Sequence, residues 1–193
     1  MNTRFSTIGV RGTGPGCGKD TVADYIAELL SQRSETHRSA FANPIREDIS
    51  KITGIPVEMI RTTEGKNMVF EPLGITVGKL LQYHGQAKKK LEGDNVWIKQ
   101  CIDSLPSKDT HVSILSDVRY KGEQAAVKER GGIIIMVKSD RPMSAILMAG
   151  GSIQHSSERD LDDIPADVVI ENNGTLEELH EKIKELVANV LLA

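Results

Sequence analysis

The chain has 193 residues, of which 39% are hydrophobic and 26% are charged, enough for one three-layer domain and too few for two large ones. Its net charge is −3, with both signs interspersed, so nucleic acid and membrane are not predicted partners and a polyphosphate site must come from local clustering. Two cysteines in unrelated contexts, no apolar run of membrane length and no signal-like start predict a cytoplasmic protein without a cysteine metal site.

The first predicted elements are a strand at residues 5–10, a glycine-rich loop and a helix at residues 21–30. The loop carries four glycines, Gly12, Gly14, Gly16 and Gly18. Glycine allows backbone N–H groups to point inward, where they and the positive end of the following helix can hold a polyanion. Lys19 supplies a mobile cation beside them. The sequence therefore predicts a nucleotide phosphate loop, the alternative being a glycine-rich turn that binds nothing.

The loop departs from the spacing G-x-x-x-x-G-K-[ST] at two positions, where the chain has Thr13 and Asp20. The hydroxyl expected on Mg²⁺ is therefore displaced to Thr21 or replaced by the carboxylate of Asp20. Cys17 occupies a loop position that tolerates many residues, and we assign its thiol no role.

A short strand at residues 37–41 comes next, followed by a turn into a helix with Pro44 near its start. This strand end delivers Asn43 and Arg46. Further helices, at residues 76–91 and around Trp97, form insertions between strands.

Three later apolar runs predict core strands, at residues 112–116, 132–137 and 167–170. Continuous apolar runs, rather than alternating ones, indicate a parallel sheet covered on both faces. A capping box at residues 175–178 opens a final helix. The predicted fold class is therefore α/β, with three layers and a central parallel sheet.

Polar residues gather where the predicted strands end: Lys19, Asn43, Arg46, Asp117, Arg119 and Arg141. In open α/β sheets, ligands bind at the carboxyl ends of the strands. A single arginine after a strand is often only solvated or ion-paired, but several arginines together with a phosphate loop indicate a site for phosphates.

Seven short fragments, in this order along the chain, carry a resemblance to a known family: Gly18-Lys-Asp-Thr-Val-Ala-Asp24, Phe41-Ala-Asn-Pro-Ile-Arg46, Leu80-Leu-Gln-Tyr-His-Gly85, Asn95-Val-Trp97, Ser116-Asp-Val-Arg119, His155-Ser-Ser-Glu158 and Ile170-Glu-Asn-Asn-Gly174. In this order the chain resembles, over nearly its whole length, the bacteriophage-type deoxynucleoside monophosphate kinases, which belong to the nucleoside monophosphate kinase group of P-loop proteins. The resemblance implies a transferase of deoxynucleotide metabolism that moves the γ-phosphate of ATP to a (deoxy)nucleoside monophosphate. It also implies one adenylate-kinase-like P-loop NTPase domain over residues 1–193, with a helical acceptor-binding insertion at about 44–105 and a lid at about 141–163. For a phage protein, the cytoplasm would be that of the host.

Phosphoryl transfer needs in-line positioning, a bridging metal and surrounding cations, but no nucleophilic side chain. On the donor side, we expect the backbone of residues 13–19 to cradle the β-phosphate of ATP. The ATP-binding residues are then Gly14, Gly16, Cys17, Gly18, Lys19, Asp20 and Thr21. Lys19 reaches the β- and γ-phosphates, and Asp20 or Thr21 lies near Mg²⁺.

On the acceptor side, Arg46 and Arg119 are expected to hold the monophosphate, because arginine offers a planar bidentate fork. Asn43 is placed with Arg46. Asp117 is expected to hold a metal-bound water or to orient Arg119, the alternative being that it caps a helix beginning near Tyr120.

Gln82 carries an amide that can pair with a base edge, and Tyr83 or Trp97 can stack on the base or simply pack. Lys88 belongs to a run of three lysines that either approaches the acceptor phosphate or forms a solvated face. In the lid, Arg141 and Arg159 are expected to close over the phosphates.

Two other functions stay open at this point. A kinase for another small acceptor, such as dephospho-coenzyme A, would use Asp117 as a base. A nucleotide-dependent switch or binding module would need neither the arginines nor a lid. Small-molecule substrates are the predicted partners, and the sequence leaves open whether the protein is a homodimer.

Overall fold

The computed structural model describes residues 3–14, 16–140 and 165–192. The chain divides into two compact units, the first comprising Met1–Ala40 with Leu105–Ala193 and the second Phe41–Ser104. Among the described residues, no helix combines the length and the apolarity that crossing a bilayer requires. The described elements are, in chain order, β1 (Thr7–Gly12), α1 (Lys19–Ser31), β2 (Glu35–Ser39), α2 (Asn43–Thr53), α3 (Val57–Arg61), α4 (Thr63–Asn67), β3 (Val69–Phe70), β4 (Ile75–Thr76), α5 (Val77–Glu92), α6 (Val96–Ser104), β5 (His111–Leu115), α7 (Lys121–Glu129), β6 (Ile133–Lys138), β7 (Val168–Glu171), α8 (Leu176–Leu186) and a π-helix (Val187–Leu191).

The first unit is built on a five-stranded sheet in the order β2-β5-β1-β6-β7. Every pairing is parallel, and Ile8 of β1 lies opposite Ile114 of β5 on one side and Ile133 of β6 on the other. The residues of β5 and β6 are buried in continuous runs, as strands covered on both faces must be. The predicted central parallel sheet is therefore confirmed, and β1 lies at its centre.

Helices α1 and α8 cover the sheet through apolar stripes at helical spacing. The stripe of α1 includes Val22, Ile26 and Leu30, each fully buried. That of α8 includes Ile183, which belongs to the same core as Ile8 and Ile135 of the sheet. Each such side chain contributes about 1.5–3 kcal/mol by leaving water.

The start of α8 is the predicted capping box. The Glu178 N–H donates to Thr175 Oγ1 over 3.2 Å, and the Thr175 N–H donates to a Glu178 carboxylate oxygen over 2.9 Å. Two N–H groups that the helix cannot satisfy are thereby paired, which fixes where α8 begins.

The second unit consists of five helices and a two-stranded antiparallel hairpin, β3–β4, in the part of the chain that the structure describes. Its core contains Ile49, Ile60, Val77 and Leu80. Asp48 of α2 accepts hydrogen bonds from His84 over 3.1 Å and from Lys88 over 3.0 Å, both on α5. This unit, Phe41–Ser104, covers most of the interval at about 44–105 that was predicted from the sequence as the acceptor-binding insertion, and the acceptor-binding role stays a prediction.

Candidate active site

The phosphate loop follows β1, at the carboxyl edge of the sheet and at its centre. The Thr13 N–H donates to the carbonyl of Val137 on β6 over 3.1 Å. At the other end of the loop, the Cys17 carbonyl accepts a hydrogen bond from Asn172 Nδ2 over 2.9 Å. The loop is thus tied to both strands on one side of β1, and α1 begins directly after it at Lys19.

A cavity of about 330 Å³ opens beside this loop. It is lined by Gly16, Gly18, Lys19, Asp20, Thr21, Asn172, Leu176 and Leu179. Five of these residues are predicted ATP-binding positions, which the structure brings together around one space. The other three follow β7 and were not predicted as site residues. The signal available for them was their place after a predicted strand, at the edge of the sheet where ligands bind.

Lys19 and Asp20, which both line this cavity, form an ion pair. Burial by itself would raise the pKa of Asp20, but the hydrogen bond and positive charge of Lys19 outweigh it, helped by a hydrogen bond from Ser116. The pKa of Asp20 is therefore held below its usual value, and the carboxylate is ionised at neutral pH. An ionised carboxylate is a suitable oxygen ligand for Mg²⁺.

Asp117 and Arg119 lie in the loop after β5, the other neighbour of β1. Tyr120 is the N-terminal cap residue of α7, so the alternative role of Asp117 as that cap is wrong. The Arg119 side chain is exposed, as a phosphate ligand requires.

Glu123 holds the backbone of this loop from within α7. Its carboxylate accepts the Arg119 N–H over 2.6 Å and the Tyr120 N–H over 3.1 Å. Burial and then the nearby charge of Asp117 raise the pKa of Glu123 to about 7, against the two N–H groups, which lower it. Glu123 was not predicted as a site residue, although an acidic side chain in the first turn of a helix is a recognisable signal.

In the second unit, Asn43 and Arg46 lie in the first turn of α2. Asn43 Oδ1 accepts from the Arg46 guanidinium over 3.0 Å and from the Arg61 guanidinium over 3.2 Å. Two positive side chains thus converge on one neutral amide oxygen. Arg61, at the end of α3, was not predicted, since nothing local distinguishes it from other exposed arginines.

The predicted base-binding residues differ in exposure. Gln82 and Tyr83 are exposed on α5, with Tyr83 58% exposed. Trp97 is only 4% exposed and donates its indole N–H to the Gly85 carbonyl over 3.0 Å, which favours its packing role. Lys88 Nζ bonds to Asp48 and lies 4.6 Å from the centroid of the Trp97 ring, so it is engaged within the unit.

The lid predicted at about 141–163 lies outside the described residues. Arg141 and Arg159 lie there as well, so their predicted roles stay predictions.

The sequence itself matches a known family. The model of the family "Deoxynucleotide monophosphate kinase" matches residues 89–183. A protein of Acanthamoeba polyphaga mimivirus named "Putative deoxynucleotide monophosphate kinase" is 30% identical over 197 residues, covering 94% of this chain and 96% of the relative. The chain belongs to the deoxynucleotide monophosphate kinase family. This confirms the resemblance seen in the sequence and the predicted enzyme class, a kinase that phosphorylates nucleoside monophosphates.

Solved structures share the fold of the kinase at low sequence identity. A gluconokinase from Sinorhizobium meliloti 1021 has a TM-score of 0.51 at 16% identity, covering 97% of this chain and 94% of that one. A sugar kinase from Janibacter sp. HTCC2649 has a TM-score of 0.50 at 14% identity, covering 96% of each. These likenesses support the predicted P-loop kinase fold. The mimivirus relative comes from a giant virus, so a bacteriophage origin stays a prediction.

Proposed function

We propose that ATP binds in the cavity beside the phosphate loop and that Arg46 and Arg119 bind the phosphate of a deoxynucleoside monophosphate that receives the γ-phosphoryl group. The main observation that supports ATP binding is that Gly16, Gly18 and Lys19 line one cavity at the carboxyl end of β1. Backbone N–H groups at the start of α1, together with the positive end of that helix, favour phosphate there.

Lys19 is the cation of the donor site. Its ammonium group is held by Asp20, its side chain is 25% exposed, and it lines the cavity. An ammonium group on a flexible stem can follow the β- and γ-phosphates as charge shifts between them during transfer. We therefore assign Lys19 to the stabilisation of that charge.

The residues around the cavity fit a magnesium ion by their chemistry. Of the residues that line the cavity, Asp20 offers an ionised carboxylate and Thr21 a hydroxyl, both hard oxygen donors. Asp117, in the loop after β5, would hold a metal-bound water. When bound, Mg²⁺ would neutralise negative charge on the phosphates of ATP. The protein's own contribution is to position the carboxylate of Asp20 and the hydroxyl of Thr21.

On the acceptor side the protein needs no general base, because the attacking oxygen of a monophosphate is already ionised near neutral pH. What the acceptor needs is orientation. The guanidinium of Arg119 is exposed, and its backbone is fixed by Glu123. The guanidinium of Arg46 is oriented by Asn43. Two oriented forks suit a group with nearly two negative charges.

A coupled assay for ADP, run with a panel of deoxynucleoside and ribonucleoside monophosphates and with dephospho-coenzyme A, tests this function. ADP should form only when a nucleoside monophosphate is present. ADP formation at the same rate without any acceptor would indicate a nucleotide-dependent switch instead, and activity with dephospho-coenzyme A alone would indicate the other kinase class.

The variants Arg46→Lys and Arg119→Lys test the acceptor site. Each keeps the charge but loses the bidentate fit, so kcat/KM for the acceptor should fall roughly tenfold to a thousandfold, while the KM for ATP barely changes. Arg33→Lys is the matched control, because Arg33 is an exposed arginine that follows α1. Unchanged acceptor kinetics in both variants, or a change in the ATP KM alone, would contradict the assignment. The cytoplasmic location stays a prediction.

A further inference from the structure

Asn172, the first residue after β7, is a buried polar side chain beside the phosphate loop. It is 5% exposed, and its Nδ2 donates to the carbonyl of Cys17, which lies 155 residues away in the chain. It also lines the cavity. We propose that Asn172 is a positioning residue that fixes the phosphate loop in its phosphate-binding conformation.

The backbone of Asn172 is itself hydrogen-bonded to the sheet. The Asn172 N–H donates to the Lys138 carbonyl at the end of β6 over 2.7 Å. The preceding residue of β6, Val137, accepts the Thr13 N–H at the opposite end of the loop. The end of β6 therefore anchors both the start of the loop and the backbone of Asn172, the residue whose side chain bonds to the other end of the loop.

The bond to Cys17 also determines the direction of a neighbouring donor. In a trans peptide, the carbonyl of one residue and the N–H of the next point in opposite directions. Fixing the Cys17 carbonyl toward Asn172 therefore makes the Gly18 N–H point away from Asn172, within the same peptide plane. That N–H is one of the donors of the predicted phosphate cradle, so a rotated peptide would present a carbonyl oxygen to an anion.

The fit between loop and amide is close. A Cβ built on Gly18 would lie 2.4 Å from Asn172 Nδ2, nearer than real Cβ contacts come. The side-chain amide of Asn172 therefore packs against the loop at Gly18 and leaves no room for a side chain at residue 18.

This inference rests on the proposed function, and two variants of Asn172 test it. Asn172→Ala removes the donor. Asn172→Asp keeps the shape but places an oxygen against the Cys17 carbonyl. We expect the KM for ATP to rise about tenfold in the first variant and about a hundredfold in the second, with the acceptor KM unchanged. Inhibition by tripolyphosphate, which has no nucleoside, should weaken by the same factors.

Lys182→Ala is the matched control. Lys182 Nζ also donates to a carbonyl at the end of β7, that of Glu171, over 2.7 Å, but it does not reach the loop. Its ATP kinetics should equal those of the wild type.

The outcomes separate the inference from the function on which it rests. A wild-type protein that forms no ADP with any monophosphate would refute the proposed function. An active wild type with an unchanged ATP KM in a folded Asn172→Ala or Asn172→Asp variant would refute the inference alone. Weaker ATP binding with unchanged tripolyphosphate inhibition would mean that Asn172 contacts the nucleoside, and loss of folding in both variants would mean a structural role; either result overturns the proposal.

Discussion

Replacing Gly18 by alanine tests how closely the phosphate loop packs. Gly18 has φ 94° and ψ 11°, a left-handed conformation that costs a residue with a Cβ about 1–2 kcal/mol. The new Cβ would also lie 2.4 Å from Asn172 Nδ2, so the amide must move away from the Cys17 carbonyl. An unpaired buried carbonyl costs about 1–3 kcal/mol more. The free energy of unfolding should therefore fall by roughly 2–5 kcal/mol, measured by urea denaturation, and the KM for ATP should rise.

Two other glycines separate these effects. Gly54 also has a left-handed φ, of 72°, but a Cβ there meets nothing within 4 Å. Gly54→Ala should therefore show only the backbone cost, about 1–2 kcal/mol. Gly14→Ala meets nothing within 4 Å either and should change the free energy of unfolding least of the three. If Gly18→Ala is no less stable than Gly54→Ala and binds ATP normally, the close contact with Asn172 does not exist.

Lys19→Ala should abolish phosphoryl transfer without unfolding the protein, because the Lys19 side chain lines the cavity and does not pack in the core. Circular dichroism checks the fold and the ADP assay checks the transfer. Normal turnover in the folded variant would contradict the assignment of the phosphate loop. Glu123→Gln should change how stability depends on pH. Because burial raises the pKa of Glu123 from 4.5 to about 7, the native state binds this proton more tightly than the unfolded state. The stability contributed by the proton is fully present below about pH 4.5 and is lost as the pH rises through about 7. Urea denaturation at pH 5 and pH 8 should therefore show the wild type losing about 2–3 kcal/mol more than the variant, and parallel losses would contradict the raised pKa.

The amino-acid sequence alone identified the features whose cause is local. The glycines before Lys19 and the apolar stripe of the following helix are contiguous, so the phosphate loop and α1 could be predicted from spacing. Continuous apolar runs predicted a parallel sheet covered on both faces, because such runs occur where both faces of a strand are buried. Element boundaries were less accurate: β1 was predicted at residues 5–10 and lies at Thr7–Gly12. Apolarity reports burial, whereas a strand ends where its hydrogen bonds to neighbours end.

The tertiary structure alone decided the features that depend on residues far apart in the chain. The order β2-β5-β1-β6-β7 brings Asn172 to the phosphate loop, and no local pattern in the sequence marks the bond to Cys17. The same holds for Trp97, which could have stacked on a base but is buried against the Gly85 carbonyl. A residue's type limits the contacts it can make, but strand pairing and packing, which bring distant segments together, determine the contact that it does make.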